Sequence, residues 1–262
     1  MCNILLLNDM HISEAGDFFQ QRDSGLVFEQ VLQTLLTEQR PDMVLLNGDL
    51  CATDPVAETY QRVRSIMSGF NTPVMSLPGN HDDPKMMQHD LPLPHTVLRQ
   101  CGGTAFQLNP ADPYCGWCNL QGWGILWLNT SDNTLNAQQI DWLNAVSHNL
   151  VAEHGTIVFM HHPPTSIPSR FMETNYPLHN RAAAWAALAQ VPALERVFCG
   201  HYHRTWNTAG SLVTMVSSSL YTIDPESENH RILHYNPGYA RIHLNSKCSY
   251  TVAELPENML QT

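Results

Sequence analysis

Groups able to hold a cation stand at the ends of five apolar runs in this 262-residue chain. Residues 4–7 run into Asp9 and His11, residues 43–46 into Asp49, and residues 73–77 into Asn80, His81, Asp82 and Asp83. Residues 156–160 run into His161 and His162, and residues 197–199 into His201 and His203. Carboxylates, an amide and imidazoles together suit Mn, Fe or Zn, whereas Mg and Ca prefer shells of oxygen alone. The set is too large for one ordinary site and fits two metals that share a carboxylate. Metal-assisted hydrolysis is the chemistry it supports.

The centre of the pattern is Leu77-Pro78-Gly79-Asn80-His81-Asp82-Asp83. A buried strand that stops at Pro78-Gly79 presents its next side chains at a sheet rim, where α/β proteins place ligands. Asp9 and His11 are two apart, as are His201 and His203, so on an extended backbone each pair projects to one side. His161 and His162 are adjacent, and only one of them should enter a common site. Gly48 lets the chain turn and bring Asp49 to its strand end, and Gly200 admits close backbone approach. Each motif has a plainer reading alone, since Asn80, Asp82 and a Gly-Asp pair are ordinary turn residues. Recurrence at five strand ends favours the metal.

The elements that must carry these groups are legible from periodicity. Residues 4–7, 43–46 and 73–77 read as strands buried on both faces. Leu26, Val27, Val31, Leu32, Leu35 and Leu36 recur at helical spacing, with Ser24 as the expected cap. Asp54-Pro55 opens a second helix with Val56, Tyr60, Val63, Ile66 and Met67 inward. This β-α-β-α-β order is a parallel half-sheet. Residues 84–103, rich in Pro, Met, His and Gly, read as a surface segment with at most a short helix. Strands at 104–108, 117–121 and 124–129 resemble a second, antiparallel run. Asn136 to Gln139 has the pattern of a capping box, opening a helix that Gly155 stops. Residues 165–179 read as a long irregular connection of the kind that forms lids, followed by an Ala-rich helix at 181–190. The tail, at 212–216, 231–235, 239–244 and 250–252, alternates like half-exposed antiparallel strands. No linker divides the chain, so residues 1–262 are expected to form one domain.

Composition limits the partners. Apolar residues at 43% against 14% charged describe a chain that folds around a core. Thirteen basic residues against 24 acidic ones give a net charge of −11, which argues against a nucleic-acid binder. Bound cations would reverse the local field, so phosphate substrates stay open. No apolar run approaches a membrane span, and the amino terminus lacks the basic region of a signal peptide. Seven scattered cysteines suit reduced thiols in a cytoplasm. Cys115 and Cys118 form a lone CxxC without the second pair a structural zinc site needs.

The ordered motifs Asp9-x-His11, Gly48-Asp49, Gly79-Asn80-His81, His161 and Gly200-His201-x-His203 resemble the calcineurin-like metallophosphoesterase superfamily. Together with His161-His162-Pro163-Pro164 and Asn236-Pro237-Gly238-Tyr239, they look like the bacterial class III cyclic nucleotide phosphodiesterases. The resemblance implies an αββα sandwich of four layers, two mixed sheets flanked by helices. It implies that Asp9, His11, Asp49 and His203 bind one metal, while Asp49 bridges to a second held by Asn80, His161 and His201. The match selects His161 over His162, which is expected to pack behind. His81 is then the catalytic residue, stabilising a phosphoryl oxygen or protonating the leaving group, with Asp82 as an orienting partner.

The expected reaction is hydrolysis of a small phosphodiester, above all a 3′,5′-cyclic nucleotide such as cyclic AMP, with two Fe, Mn or Zn ions acidifying water. Glycerophosphodiesters or other small esters are the alternative, and a fold retained without catalysis is the reading from another class. Relatives of this group often form dimers, so a homodimer is an open expectation. Two departures from the group's pattern stand out. Tyr202 replaces an aliphatic residue within GHxH, and Phe171-Met172-Glu173 stands where Trp-x-Asp often follows HHPP.

Overall fold

The opening apolar run is buried because strands flank it on both sides, and the same arrangement is repeated across two sheets in the structure, a computed structural model describing residues 1–260. The chain begins β1 (Cys2–Leu7), α1 (Ser24–Glu38), β2 (Met43–Asn47), α2 (Ala57–Ser68), β3 (Val74–Leu77), α3 (Pro84–Asp90) and α4 (Pro94–Gln100). Next come β4 (Thr104–Leu108), β5 (Gly116–Leu120), β6 (Trp123–Leu128), α5 (Ala137–Ser147) and β7 (Gly155–Met160). They lead into α6 (Arg170–Asn175), α7 (Arg181–Leu188) and β8 (Leu194–Cys199). The tail adds β9 (Val213–Met215), β10 (Thr222–Ile223), β11 (Ile232–His234), β12 (Gly238–Leu244) and β13 (Cys248–Glu254).

One sheet has the order β13-β12-β1-β2-β3, with β1, β2 and β3 parallel and β12 antiparallel to β1. The other has the order β4-β5-β6-β7-β8-β9, antiparallel up to β6 and parallel from there to β9. Both sheets are mixed and helices flank them, which is the expected four-layer sandwich. Every residue of β2, β6 and β7 is buried, as continuous apolar runs covered on both faces must be. The Trp123 indole donates to the Asn245 carbonyl at 2.6 Å and ties the second sheet to the β12–β13 turn.

Parallel strands send their carboxyl ends to one edge, and two buried asparagines join the sheets there. The Asn47 amide donates to Asn8 Oδ1 at 3.0 Å and to the Met160 carbonyl at 3.1 Å. Asn8 in turn donates to the Val216 carbonyl at 3.0 Å. The ends of β1, β2 and β7 are thereby fixed against one another at the place where the polar motifs emerge.

Several local expectations are corrected. Residues 84–103 hold two helices, because Pro84 and Pro94 sit in first turns, where a missing N–H costs nothing. The cap of α1 is Asp23, which accepts from Leu26 N, while the Ser24 hydroxyl turns inward to accept from Ser13 N. Helix α2 begins after Val56, so Asp54-Pro55 belongs to the preceding turn. The capping box at Asn136 is present, but α5 ends at Ser147 and Gly155 starts β7. The connection at 165–179 contains α6. Strand β9 runs parallel to β8, since the chain leaves through the His201–His203 loop and re-enters in the same direction. Among the described residues, no helix is long and apolar enough to cross a membrane.

Candidate metal centre

The loops that carry the candidate ligands leave the extended conformation that the sequence spacing assumed. Asp9, His11, Asp49, His201 and His203 all lie in the left-handed region, with φ between 45° and 69°. Side chains other than glycine enter it at a cost and hold it where neighbours over-determine the backbone, typically at functional sites. Those neighbours are on hand. Asp9 N donates to the Gly48 carbonyl and His11 N to the Asp49 carbonyl, so the loop after β1 lies along the loop after β2. The Asp9 carboxylate accepts from His201 N at 3.0 Å, and Asp49 Oδ1 accepts from His81 N at 3.0 Å.

Two glycines make the approach possible. A Cβ on Gly79 would lie 2.2 Å from Asp49 Oδ1, and one on Gly48 would lie 2.2 Å from His161 Nδ1.

Backbone carbonyls aim the imidazoles. His11 Nδ1 faces the Ala52 carbonyl at 3.1 Å, His161 Nδ1 the Asn47 carbonyl at 3.1 Å, and His201 Nε2 the Tyr176 carbonyl at 2.8 Å. A carbonyl can only accept, so the facing nitrogen carries the proton and the other presents its lone pair to the centre. His162 is turned away, with Nδ1 on Thr130 Oγ1 and Nε2 on Asn133 Oδ1, both at 2.9 Å. Its ring packs behind His201 at 4.0 Å, as the adjacency of the two histidines requires.

The remaining nitrogens and oxygens converge. Asp49 Oδ2 lies 3.2 Å from His161 Nε2 and 3.8 Å from His11 Nε2, placing it between the two sets of imidazoles. Asp9 Oδ1 lies 3.5 Å from His203 Nε2 and 3.8 Å from His161 Nε2. The donor atoms of Asp9, His11, Asp49 and His203 fall within 4.8 Å of one another, and His161 and His201 belong to a second such group with His162. Two atoms facing this space, His161 Nε2 and Asn80 Oδ1, are buried without a hydrogen-bond partner.

The electrostatics also call for positive charge. Burial pushes the Asp9 carboxyl up to about 8 although His161 opposes the rise. Burial disfavours a proton on His161, but Asp49 and Asp9 outweigh it and lift that ring to about 9. Burial lowers His11 to about 4 and His201 to about 3, leaving both neutral and able to coordinate. Without cations the site therefore favours protons on Asp9 and His161, and His161 Nε2 presents its lone pair to the centre once a cation takes the place of that proton. Orphaned donor atoms, neutral imidazoles and two buried carboxylates fit a pair of transition metals.

The model of the calcineurin-like phosphoesterase family matches residues 2–205. This chain belongs to that family. A probable cyclic nucleotide phosphodiesterase of Fibrobacter succinogenes is 27% identical over 227 residues, which cover 84% of this chain and 80% of the relative. The glycerophosphodiester phosphodiesterase GpdQ of Enterobacter lignolyticus is 30% identical over 175 residues, or 63% of this chain and 57% of that one. A dimetal phosphatase from Danio rerio shares the fold, with a TM-score of 0.56 over 93% of this chain and 92% of its own at 13% identity. As a calcineurin-like phosphoesterase the chain is a hydrolase of phosphate esters.

Within the phosphoesterase, Asp82 does not orient His81. Its carboxylate accepts from Leu50 N, Cys51 N and Gly79 N at 2.9–3.2 Å, buckling the loops that carry Asp49 and Asn80. His81 is oriented by the Thr53 carbonyl, 2.7 Å from Nδ1, so Nε2 is left facing a cleft of about 430 Å³ over the centre. Phe19, Phe171, Tyr176, Tyr221 and His230 wall this cleft, and among the described residues no Lys or Arg lines it.

Phe171 and Tyr176 belong to the 165–179 connection that the sequence marks as a lid, whereas sequence reasoning missed Phe19, Tyr221, His230 and the Ser218 support, whose hydroxyl donates to the Asp9 carbonyl at 2.7 Å. Asn8 and Asn47 carried a signal, as buried amides closing apolar runs. Tyr221, packed 4.4 Å from His203, carried none.

Proposed function

We propose that this phosphoesterase hydrolyses a small phosphodiester, most readily a 3′,5′-cyclic nucleotide such as cyclic AMP. The observation that carries the reading is the cleft: aromatic walls without Lys or Arg among the described residues stand over a floor of metal-ligand type. Flat rings suit a nucleobase by stacking. With no Lys or Arg in its walls, the cleft matches a singly charged diester better than a polyphosphate. The Fibrobacter relative points to the same substrate class.

Asp9, His11, Asp49 and His203 would hold one Fe, Mn or Zn ion, and Asp49, Asn80, His161 and His201 the other. Such ions, when bound, supply Lewis-acid charge to a phosphoryl oxygen and acidify water near neutral pH. The chain's own catalytic group is His81. Because Nδ1 faces a carbonyl, Nε2 carries a proton only in the imidazolium, which can stabilise a phosphoryl oxygen or protonate the departing alkoxide. The aromatic walls fix the substrate and exclude water from one side of it.

A glycerophosphodiester is the second reading, favoured by the GpdQ relative. We assign the whole chain to one domain, in a cytoplasm that suits its seven free thiols, with no nucleic-acid or membrane partner and a homodimer as its assembly. Ranking cyclic nucleotides and glycerophosphodiesters by kcat/KM with Mn-loaded protein tests the substrate. A preference for glycerophosphodiesters replaces the first reading with the second, and inertness toward both ends the diesterase proposal.

A further inference from the structure

The two departures from the family pattern touch each other. Tyr202, buried between His201 and His203, donates its hydroxyl to Glu173 Oε2 at 2.8 Å. Glu173 also pairs with Arg181 at the start of α7 and accepts from Ile167 N, which holds its carboxyl below the usual range against the opposing effect of burial. Neither Tyr202 nor Glu173 lines the cleft. Glu173 belongs to α6, whose Phe171 and Met172 form one wall with the following Tyr176.

The same short helix meets the metal loop a second time, through the Tyr176 carbonyl on His201 Nε2 at 2.8 Å. Phe171 packs on Tyr176 and His230 with ring centroids 5.6 and 5.7 Å away. Helix α6 has no side-chain cap and only six residues, so it is too short to hold its own position. What fixes it are contacts to its neighbours, and two of these run to the GHxH loop.

We infer that Tyr202 and Glu173 are positioning residues that set the aromatic wall of the cleft at a fixed distance from His201 and thereby tune recognition of the part of the substrate beyond the phosphate. The inference rests on the reading above that a nucleobase lies against this wall. Removing the Tyr202 hydroxyl frees α6 to shift Phe171 and Tyr176, while the groups that face the phosphate stay where other bonds hold them. The Arg181 pair ends the brace on α7, so Glu173→Gln loosens the same unit from the other side.

Calorimetric titration of the metal-loaded full chain with 5′-AMP and with inorganic phosphate separates the effects, because phosphate is too small to reach the wall. In the wild type, 5′-AMP is expected to bind more tightly than phosphate. Tyr202→Phe and Glu173→Gln should each weaken 5′-AMP by about three- to tenfold, leave phosphate within about twofold and keep the metal content unchanged. The double variant should be no weaker than the worse single one, since the Tyr202 and Arg181 bonds are successive links of one brace and breaking either releases it. An unchanged ratio of the two affinities in both single variants overturns the inference, as does an equal weakening of both ligands. A wild type that holds 5′-AMP no better than phosphate overturns the nucleotide reading itself, a result recognisable before any variant is measured.

Discussion

His11 Nε2 and His203 Nε2 face each other at 3.0 Å, although 192 residues separate them in the chain. The Ala52 carbonyl accepts a hydrogen bond from His11 Nδ1–H, so the inner nitrogen of His11 presents a lone pair. Burial drives both rings toward neutrality, so without a cation His203 must donate its own Nε2 proton to that lone pair, and a cation between the two rings would replace that proton. Metal counting checks the consequence. Wild-type protein should hold about two transition metals per chain, and His203→Ala about one, with the loss restricted to one site. Asp49→Ala should hold less than one, because its carboxylate stands between both sets. Wild-type stoichiometry in Asp49→Ala would remove the shared carboxylate from the account.

His81 should separate catalysis from assembly. It is held by the Thr53 carbonyl, and its backbone N–H, which Asp49 accepts, survives any side-chain change. His81→Ala is therefore expected to lower kcat on bis(p-nitrophenyl) phosphate by about 10²- to 10⁴-fold with metal content and Tm unchanged. Comparing turnover with metal analysis on one preparation decides it, and full activity would assign the ring a packing role.

Gly79 offers a test of close packing. Its absent side chain leaves room for the Asp49 carboxylate, which a Cβ would meet at 2.2 Å. Gly79→Ala should displace Asp49 and reduce both bound metal and activity, although no ligand has been changed. An alanine variant with normal metal content would mean that the loop can yield without moving Asp49.

Asp82 should matter for stability. Three buried backbone N–H groups depend on its carboxylate, two of them on the segment after Asp49. Asp82→Ala leaves those donors unpaired at a cost of about 3 kcal/mol, lowering Tm by about 6–12 °C. Thermal unfolding of the metal-free variant against the metal-free wild type measures this apart from any loss of metal affinity.

Metal removal should destabilise the wild type as well. The five left-handed ligand residues and the buried Asp9 and Asp49 are held at a cost that bound cations offset. At about a thousandfold excess over Kd each cation contributes ~4 kcal/mol, so chelating both should lower Tm by about 16–32 °C, reversed by adding Mn or Zn. A Tm indifferent to chelator would mean that the loops are as stable without cations.

The sequence by itself determined the candidate ligands and the strands that deliver them. Buried parallel strands have to be continuous apolar runs, so their ends are visible as the points where polarity begins. That is why Asp9, Asp49, Asn80, His161 and His201 could be read in order, while the sandwich followed from the family that their motifs resemble. What the tertiary structure decided was direction and support. The pairs at Asp9/His11 and His201/His203 converge through left-handed turns, a conformation imposed by neighbouring loops and absent from any spacing rule. The carbonyls that aim the rings belong to Asn47, Ala52, Thr53 and Tyr176, and a backbone oxygen leaves no mark on residue type. Asp82 has the same identity whether it faces His81 or three amides, and only the path of the chain between residues 50 and 82 chose the amides. The aromatic walls, drawn from segments as distant as Phe19, Phe171 and Tyr221, meet because two sheets bring their edges together, which no local pattern encodes.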